Sequence, residues 1–139
     1  MLSRSKQIKL KAFTLPELLV VLVIIGILIL LAMPSLMPLV TKAHSLEAKN
    51  SLARVSTLQK TYYYEFSKYS DDLARIGFES EKLVTEAEDG RAKYQVEIVE
   101  SSPTSFLARA TAVVDFDGDG QFNVWEVDQS GNVKEVVQD

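Results

Sequence analysis

The chain has 139 residues, 47% of them apolar, no cysteine, and a net charge of −4. That length allows one modest domain beside a long helix, and the missing thiols exclude disulfides, thiolate metal sites and cysteine nucleophiles. Arg4, Lys6, Lys9 and Lys11 stand in the first twelve residues without an acid, which leaves −8 on the remainder. An acidic body of this kind lacks the basic footprint that nucleic-acid binding requires.

Residues 1–12 therefore read as a basic leader. Sixteen residues follow, from Leu18 to Met33, without a charged or strongly polar side chain. Leu15 before them and Leu36–Val40 after them extend the run to the roughly 20 residues that cross a bilayer as a helix. No charge returns until Lys42. Positive charge ahead of the apolar run predicts a cytoplasmic leader and an exported C-terminal part. Thr14 is placed to cap the helix, and Pro16 sits in its first turn, where a missing N–H does little harm. Glu17 is the exception at the lip of the run. A carboxylate in lipid costs about 2.5–3.5 kcal/mol near a helix centre and less toward the interface, so Glu17 calls for a partner. Gly26 lets another helix approach closely. Pro34 and Pro38 each remove a backbone bond and crowd the preceding turn. They predict a kinked or loosened segment around Leu31–Pro38 or, alternatively, the end of the membrane helix.

Helical periodicity resumes after the prolines. Ala48, Leu52, Val55, Leu58, Tyr62, Phe66 and Tyr69 recur at spacings of three and four and define one apolar face. A single helix from Leu15 to about Tyr69 would be roughly 80 Å long. The aromatic cluster of Tyr62, Tyr63, Tyr64, Phe66 and Tyr69 is expected to pack against a sheet. Residues 71–92 read as a connector: Asp71-Asp72 can cap a turn that Gly77 ends, and a short second helix fits Ser80–Ala87. From Lys93 the period changes to two. Strands are expected over Tyr94–Ile98, Phe106–Phe116, Gln121–Asp128 and Val133–Val137. Asp117-Gly118-Asp119-Gly120 and Gln129-Ser130-Gly131-Asn132 have hairpin chemistry. The expected fold is α+β: a long kinked N-terminal helix, membrane-spanning and then amphipathic, packed on a four-stranded antiparallel sheet. Its segments are a leader (1–12), a transmembrane helix (13–40), an amphipathic helix (41–70), a connector (71–92) and a sheet head (93–139).

The turn before the third strand has a second interpretation. Asp115, Asp117 and Asp119, followed by Gly120 and by Glu126 after five intervening residues, have the spacing of an EF-hand calcium loop. Asp115, Asp117 and Asp119 would be direct ligands, Gln121 would offer its carbonyl, Asn123 a water-mediated contact, and Glu126 a bidentate carboxylate. The flanks read as strands where an EF-hand has helices, so a tight hairpin built on Asp and Gly is the rival. His44, the lone histidine, reads as a solvated helix residue. With no nucleophile elbow and no phosphate loop, no enzymatic activity is expected.

The leader, Ala12, Phe13-Thr14-Leu15-Pro16-Glu17 and the apolar run resemble the N-terminus of type IV pilins and of the pseudopilins of type II secretion. The resemblance covers residues 1 to about 40. It implies that a prepilin peptidase/methyltransferase cuts between Ala12 and Phe13 and methylates the new amine of Phe13. Ala12 departs from the glycine usual before the cut, but it is also small. Glu17 falls at the family's glutamate and Pro34 at its helix-loosening proline. The implied product is a subunit of a helical filament of identical chains. It would be inserted singly in the inner membrane, handled by a membrane assembly platform, and delivered to an extracellular pilus or a periplasmic pseudopilus. Physically, Glu17 wants a cation, and the Phe13 amine of a neighbouring subunit is one that cleavage creates at the right depth. Some pseudopilins hold a structural calcium near the C-terminus, which supports calcium in the acidic turn by analogy. The rival from another class is a membrane-anchored calcium-binding or adhesive domain that never polymerises.

Overall fold

A computed structural model describes residues 12–139; of the basic leader only Ala12 lies among the described residues. The chain divides into two units at Leu36/Met37, between the two prolines.

Helix α1 runs from Leu15 to Phe66 without interruption. The prolines therefore do not end it. Pro34 leaves the carbonyl of Leu30 without its usual donor, and Pro38 does the same to Pro34, yet the backbone stays helical through both. In the first unit every described residue up to Leu36 is exposed. The apolar side chains there cover all faces of the helix, and it is long and apolar enough to cross a membrane.

The second unit is an α+β domain. Strands β1 (Tyr94–Ser101), β2 (Phe106–Ala112), β3 (Val124–Asp128) and β4 (Val133–Val137) form an antiparallel meander in the order β1-β2-β3-β4. Alternation sets the faces. Phe106, Ala108, Ala110 and Ala112 of β2, with Tyr94 of β1 and Trp125 and Val127 of β3, point into one core. Ala48, Leu52 and Val55 of α1 fill the other side of that core and are fully buried. Helix and sheet are also bonded directly, since Glu47 Oε1 accepts the backbone N–H groups of Lys93 (2.7 Å) and Tyr94 (3.2 Å). Both edge strands carry a register shift, beside Val99 in β1 and beside Val136 in β4. Such bulges break the regular edge that another strand would pair with.

Several expectations are corrected. Phe66 belongs to the predicted face yet is 55% exposed, because the helix stops there. Ser67 takes a left-handed conformation (φ 55°) while its N–H still reaches Tyr63 O at 2.8 Å. The chain then turns back, and Tyr69 stacks on Tyr63 (ring centroids 4.8 Å apart) and meets Phe106 at a tilt (5.0 Å). Conversely, the buried side of α1 includes polar residues that a hydrophobic pattern passes over: Thr41, Ser45, Ser56 and Gln59. The Ser80–Ala87 helix is absent; Leu83 pairs with Ala92 in an isolated parallel bridge. The connector also reaches the core, with Ile76, Phe78, Leu83 and Ala92 buried. Strands β2 and β3 are shorter than their apolar patterns, because residues 113–123 form a wide loop in place of a tight hairpin.

Two buried polar side chains hold these turns. Gln59 Oε1 accepts from the backbone N–H of Ser70 (3.0 Å), and its Nε2 donates to the carbonyl of Ser70 (2.7 Å), clamping the reversal after the helix. Asn123 uses its full capacity. Its Oδ1 accepts from Tyr94 Oη (2.8 Å) and Trp125 Nε1 (2.5 Å), while Nδ2 donates to Glu135 Oε1 (2.8 Å) and Val137 O (2.9 Å). This knot ties β1, β3 and β4 at one end of the sheet.

Gln59→Leu keeps the helix but strands both backbone groups of Ser70. It should cost about 1–3 kcal/mol per buried group left unpaired, read as a lowered denaturation midpoint together with faster hydrogen exchange at Ser70; unchanged exchange there would contradict the clamp. Burial pushes the Tyr94 phenol up to about 12, partly offset by the Ser45 hydroxyl and reinforced by the carboxylates of Glu47, Asp139 and Glu135. With the folded value raised, the contribution of neutral Tyr94 is complete below the unfolded value of roughly 10 and is lost as pH rises toward 12. Stability should therefore fall across that alkaline window, and Tyr94→Phe should remove the step; a variant with the same alkaline profile would assign the loss to another group.

Candidate functional site

The head of α1 is built by a short local code. Thr14 is the N-cap, Leu15 and Pro16 open the first turn, and Glu17 stands at the third helical position. The Thr14 N–H donates to Glu17 Oε2 at 2.7 Å, and the Leu18 N–H reaches Thr14 O at 3.2 Å. Thr-x-x-Glu with this bond is a capping-box arrangement, in which the glutamate turns back onto the cap residue's amide. The carboxylate thus lies where helix N–H groups are unsatisfied and the dipole favours negative charge. The Thr14–Glu17 spacing was available in the sequence as that signature. Phe13 precedes the cap and is 82% exposed, so the Ala12–Phe13 bond lies outside the helix. Pro34 and Pro38 lie well down the same helix, remote in sequence from its head.

The acidic loop assembles differently from the EF-hand expectation. Asp115, Asp117 and Asp139 each bring a carboxylate oxygen within 4.8 Å of the others. Asp139 was not among the expected residues; it lies beyond β4 in sequence, and nothing in the loop's spacing points to it. Its carboxylate accepts the N–H groups of Phe116 (3.0 Å) and Asp117 (3.2 Å). Asp115 accepts from Gly118 (2.6 Å) and Gly120 (2.8 Å), and those bonds hold its carboxyl below the usual carboxylate range. Asp117 shifts the other way. An N–H bond from Asp119 pulls it down, but desolvation and the carboxylates of Asp119, Asp139 and Asp115 together push it up.

Asp119, Asn123 and Glu126 have other partners. Asp119 closes its own turn, accepting from Gln121 N at 2.7 Å and Gln121 Nε2 at 3.3 Å. Asn123 is fully buried in the knot at the sheet end, so it presents no atom for a water-mediated contact. Glu126 lies on β3 opposite Arg109 of β2 and is bonded to its guanidinium at 2.6–2.7 Å. The strand geometry explains this: β3 begins at Val124, so Glu126 projects from the sheet, away from the course of the loop. Three carboxylates are a donor class that calcium takes, but they supply only part of its six to eight oxygens.

His44 is also not the solvated residue expected. It stacks on Phe116 (centroids 4.7 Å, 19° between planes) beside the Lys93 ammonium, and both desolvation and that cation push its pKa down.

Residues 9–33, the leader end and the apolar helix, match the family described as the prokaryotic N-terminal methylation motif. The chain is also similar to the type IV major pilin protein PilA of Myxococcus xanthus (strain DK1622), 39% identical over 72 residues. That alignment covers 52% of this chain and 33% of the relative, so the chain spans about a third of the length of the curated protein it matches. The N-terminal methylation motif, the capped apolar helix that follows it and the likeness to this relative together support a type IV pilin-like family for the chain.

Proposed function

We propose that the chain is a structural subunit of a type IV pilus-like filament. It is made as a membrane-anchored prepilin with its leader on the cytoplasmic side, cut between Ala12 and Phe13 by a prepilin peptidase/methyltransferase, and passed by an assembly platform into a polymer of identical subunits. The observation that carries this reading is the head of α1: one carboxylate, Glu17, at the first turn of a helix whose side chains are exposed on all faces through Leu36. The relative is a major pilin, which favours a pilus over a secretion pseudopilus.

The chemistry suits a change of partner. In the uncut chain Glu17 is held by the Thr14 amide. Cleavage creates an ammonium on Phe13, and in a bundle of such helices the amine of one subunit neutralises the carboxylate of another. Two charges removed from water need such pairing, and the pairing sets the axial register between subunits. Mass spectrometry of the native protein should find Phe13 at the N-terminus carrying an added methyl group; an intact leader on surface-exposed protein would sink the proposal. Glu17→Val should stay in the membrane but lose filaments, and wild-type filament yield from that variant would remove Glu17 from the mechanism.

We further propose that calcium binds the acidic loop through Asp115, Asp117 and Asp139, with water completing its shell, and secures the loop to the sheet. Millimolar calcium, a level suited to an exported module, should raise the melting temperature of the full chain in detergent. Asp139→Ala should abolish the rise and Glu126→Gln should not. No rise, or one that survives Asp139→Ala, would refute this site.

A further inference from the structure

The acidic loop contains two consecutive aspartyl–glycyl linkages, Asp117-Gly118 and Asp119-Gly120, and the connector contains a third, Asp89-Gly90. Such bonds are prone to a known rearrangement. The glycine nitrogen attacks the aspartate Cγ, a C–N bond forms and the Cγ–O bond breaks, and the oxygen leaves as water with the nitrogen's proton and a carboxyl proton. Water then opens the resulting succinimide. Attack at the main-chain carbonyl diverts the backbone through the side chain and gives isoaspartate. One water leaves and one returns, and nothing is oxidised or reduced. Glycine permits the reaction because no side chain shields its nitrogen. The loop cannot easily dispense with it, since Gly118 and Gly120 adopt φ of 82° and 88°, the left-handed region that L side chains rarely adopt.

Both attacking nitrogens are engaged by one carboxylate. The Gly118 N–H donates to Asp115 Oδ1 at 2.6 Å and the Gly120 N–H to Asp115 Oδ2 at 2.8 Å. The pattern extends to the linkage after Asp115 itself, because the Phe116 N–H donates to Asp139 Oδ2 at 3.0 Å. At each of these three positions the amide that could attack its own aspartate is bonded to a different one. A carboxylate acceptor opposes attack in two ways. It fixes the orientation of the nitrogen, and its negative charge disfavours the amide anion that attack requires. Asp89-Gly90 is the contrast within the same chain, since the Gly90 N–H bonds to a neutral carbonyl, Ala87 O, at 2.9 Å.

We propose that Asp115 guards the loop against isoaspartate formation by holding the attacking nitrogens of both Asp–Gly linkages, so that Asp117 and Asp119 are latent modification sites. Rearrangement at either site would insert a backbone methylene into the segment between Asp115 and Asn123. That would pull the Asp139 carboxylate from the Phe116 and Asp117 amides. The proposal depends neither on a filament nor on calcium.

The test is ageing of the full chain in detergent at neutral pH in oxygen-18 water, with a chelator present. Peptide mapping reads label uptake and isoaspartate at 117, 119 and 89. Asp115→Ala should accelerate rearrangement at 117 and 119 by roughly tenfold relative to 89, the factor carried by the loss of about one charge-assisted hydrogen bond. Asp115→Asn, which retains one acceptor oxygen, should fall between. Asp139→Ala loosens the same loop while leaving both Asp115 bonds available, and should change the two sites much less. An unchanged ratio in Asp115→Ala, or an equal acceleration in Asp139→Ala, would overturn the guard role and assign protection, if any, to loop order alone.

Discussion

The apolar surface of α1 from Leu15 to Leu36 has no cover within the described residues. Exposed apolar area costs about 25 cal/mol per Å² in water, so a helix bare on every face must stand in lipid or against other helices. The one charge in that stretch, Glu17, is confined to the first turn. There it is bonded to the Thr14 amide and sits near the unsatisfied N–H groups of the helix end. A carboxylate a few turns further in would find no such donors and would oppose insertion. The assembly chemistry proposed for this chain therefore depends on a single position where a charge is tolerated by the membrane and remains available to a new cation.

The same helix then changes its relation to its surroundings. From Thr41 onward it buries one side only, and that side is mixed: Ala48, Leu52 and Val55 are apolar, while Ser45 and Gln59 are polar and satisfied. Ser45 bonds back to Thr41 O (2.9 Å) and Gln59 reaches across to Ser70. Polar side chains can occupy such a core only when their bonds are met inside it. Those of Gln59 are met by the backbone of the reversal at Ser70, which lets one side chain close a loop and complete the core together. Asn123, Glu47 and Asp115 follow the same logic, each satisfying backbone or side-chain donors that the chain reversals leave over.

The connector and the acidic loop show where pattern and structure part. A strongly acidic segment such as Glu79–Asp89 reads as solvent-facing, and most of it is. Yet Phe78 and Leu83 within and beside it are buried, because Leu83 pairs with Ala92 and brings the loop onto the helix-bearing core. The EF-hand spacing around Asp115 is similarly a statement about order along the chain. Whether those oxygens converge depends on where the backbone leaves the loop, and β3 begins at Val124, before Glu126 can turn inward.

Local regularities determined much of this protein without help from tertiary structure. The all-round apolar run, the Thr-x-x-Glu head, the helical period through Val55 and the alternation of β2 each repeat over a few residues, and each has one low-energy backbone solution. They were enough to place α1, the four-stranded meander and the pilin-like head, with Glu17 singled out. Only the tertiary structure decided that Asp139 completes the acidic cluster, that Asn123 and Glu126 leave it, that His44 stacks on Phe116, and that Gln59 and the connector belong to the core. Those outcomes join residues far apart in sequence. They are chosen by which buried donor lacks an acceptor once the sheet has met the helix, a condition that no local spacing encodes.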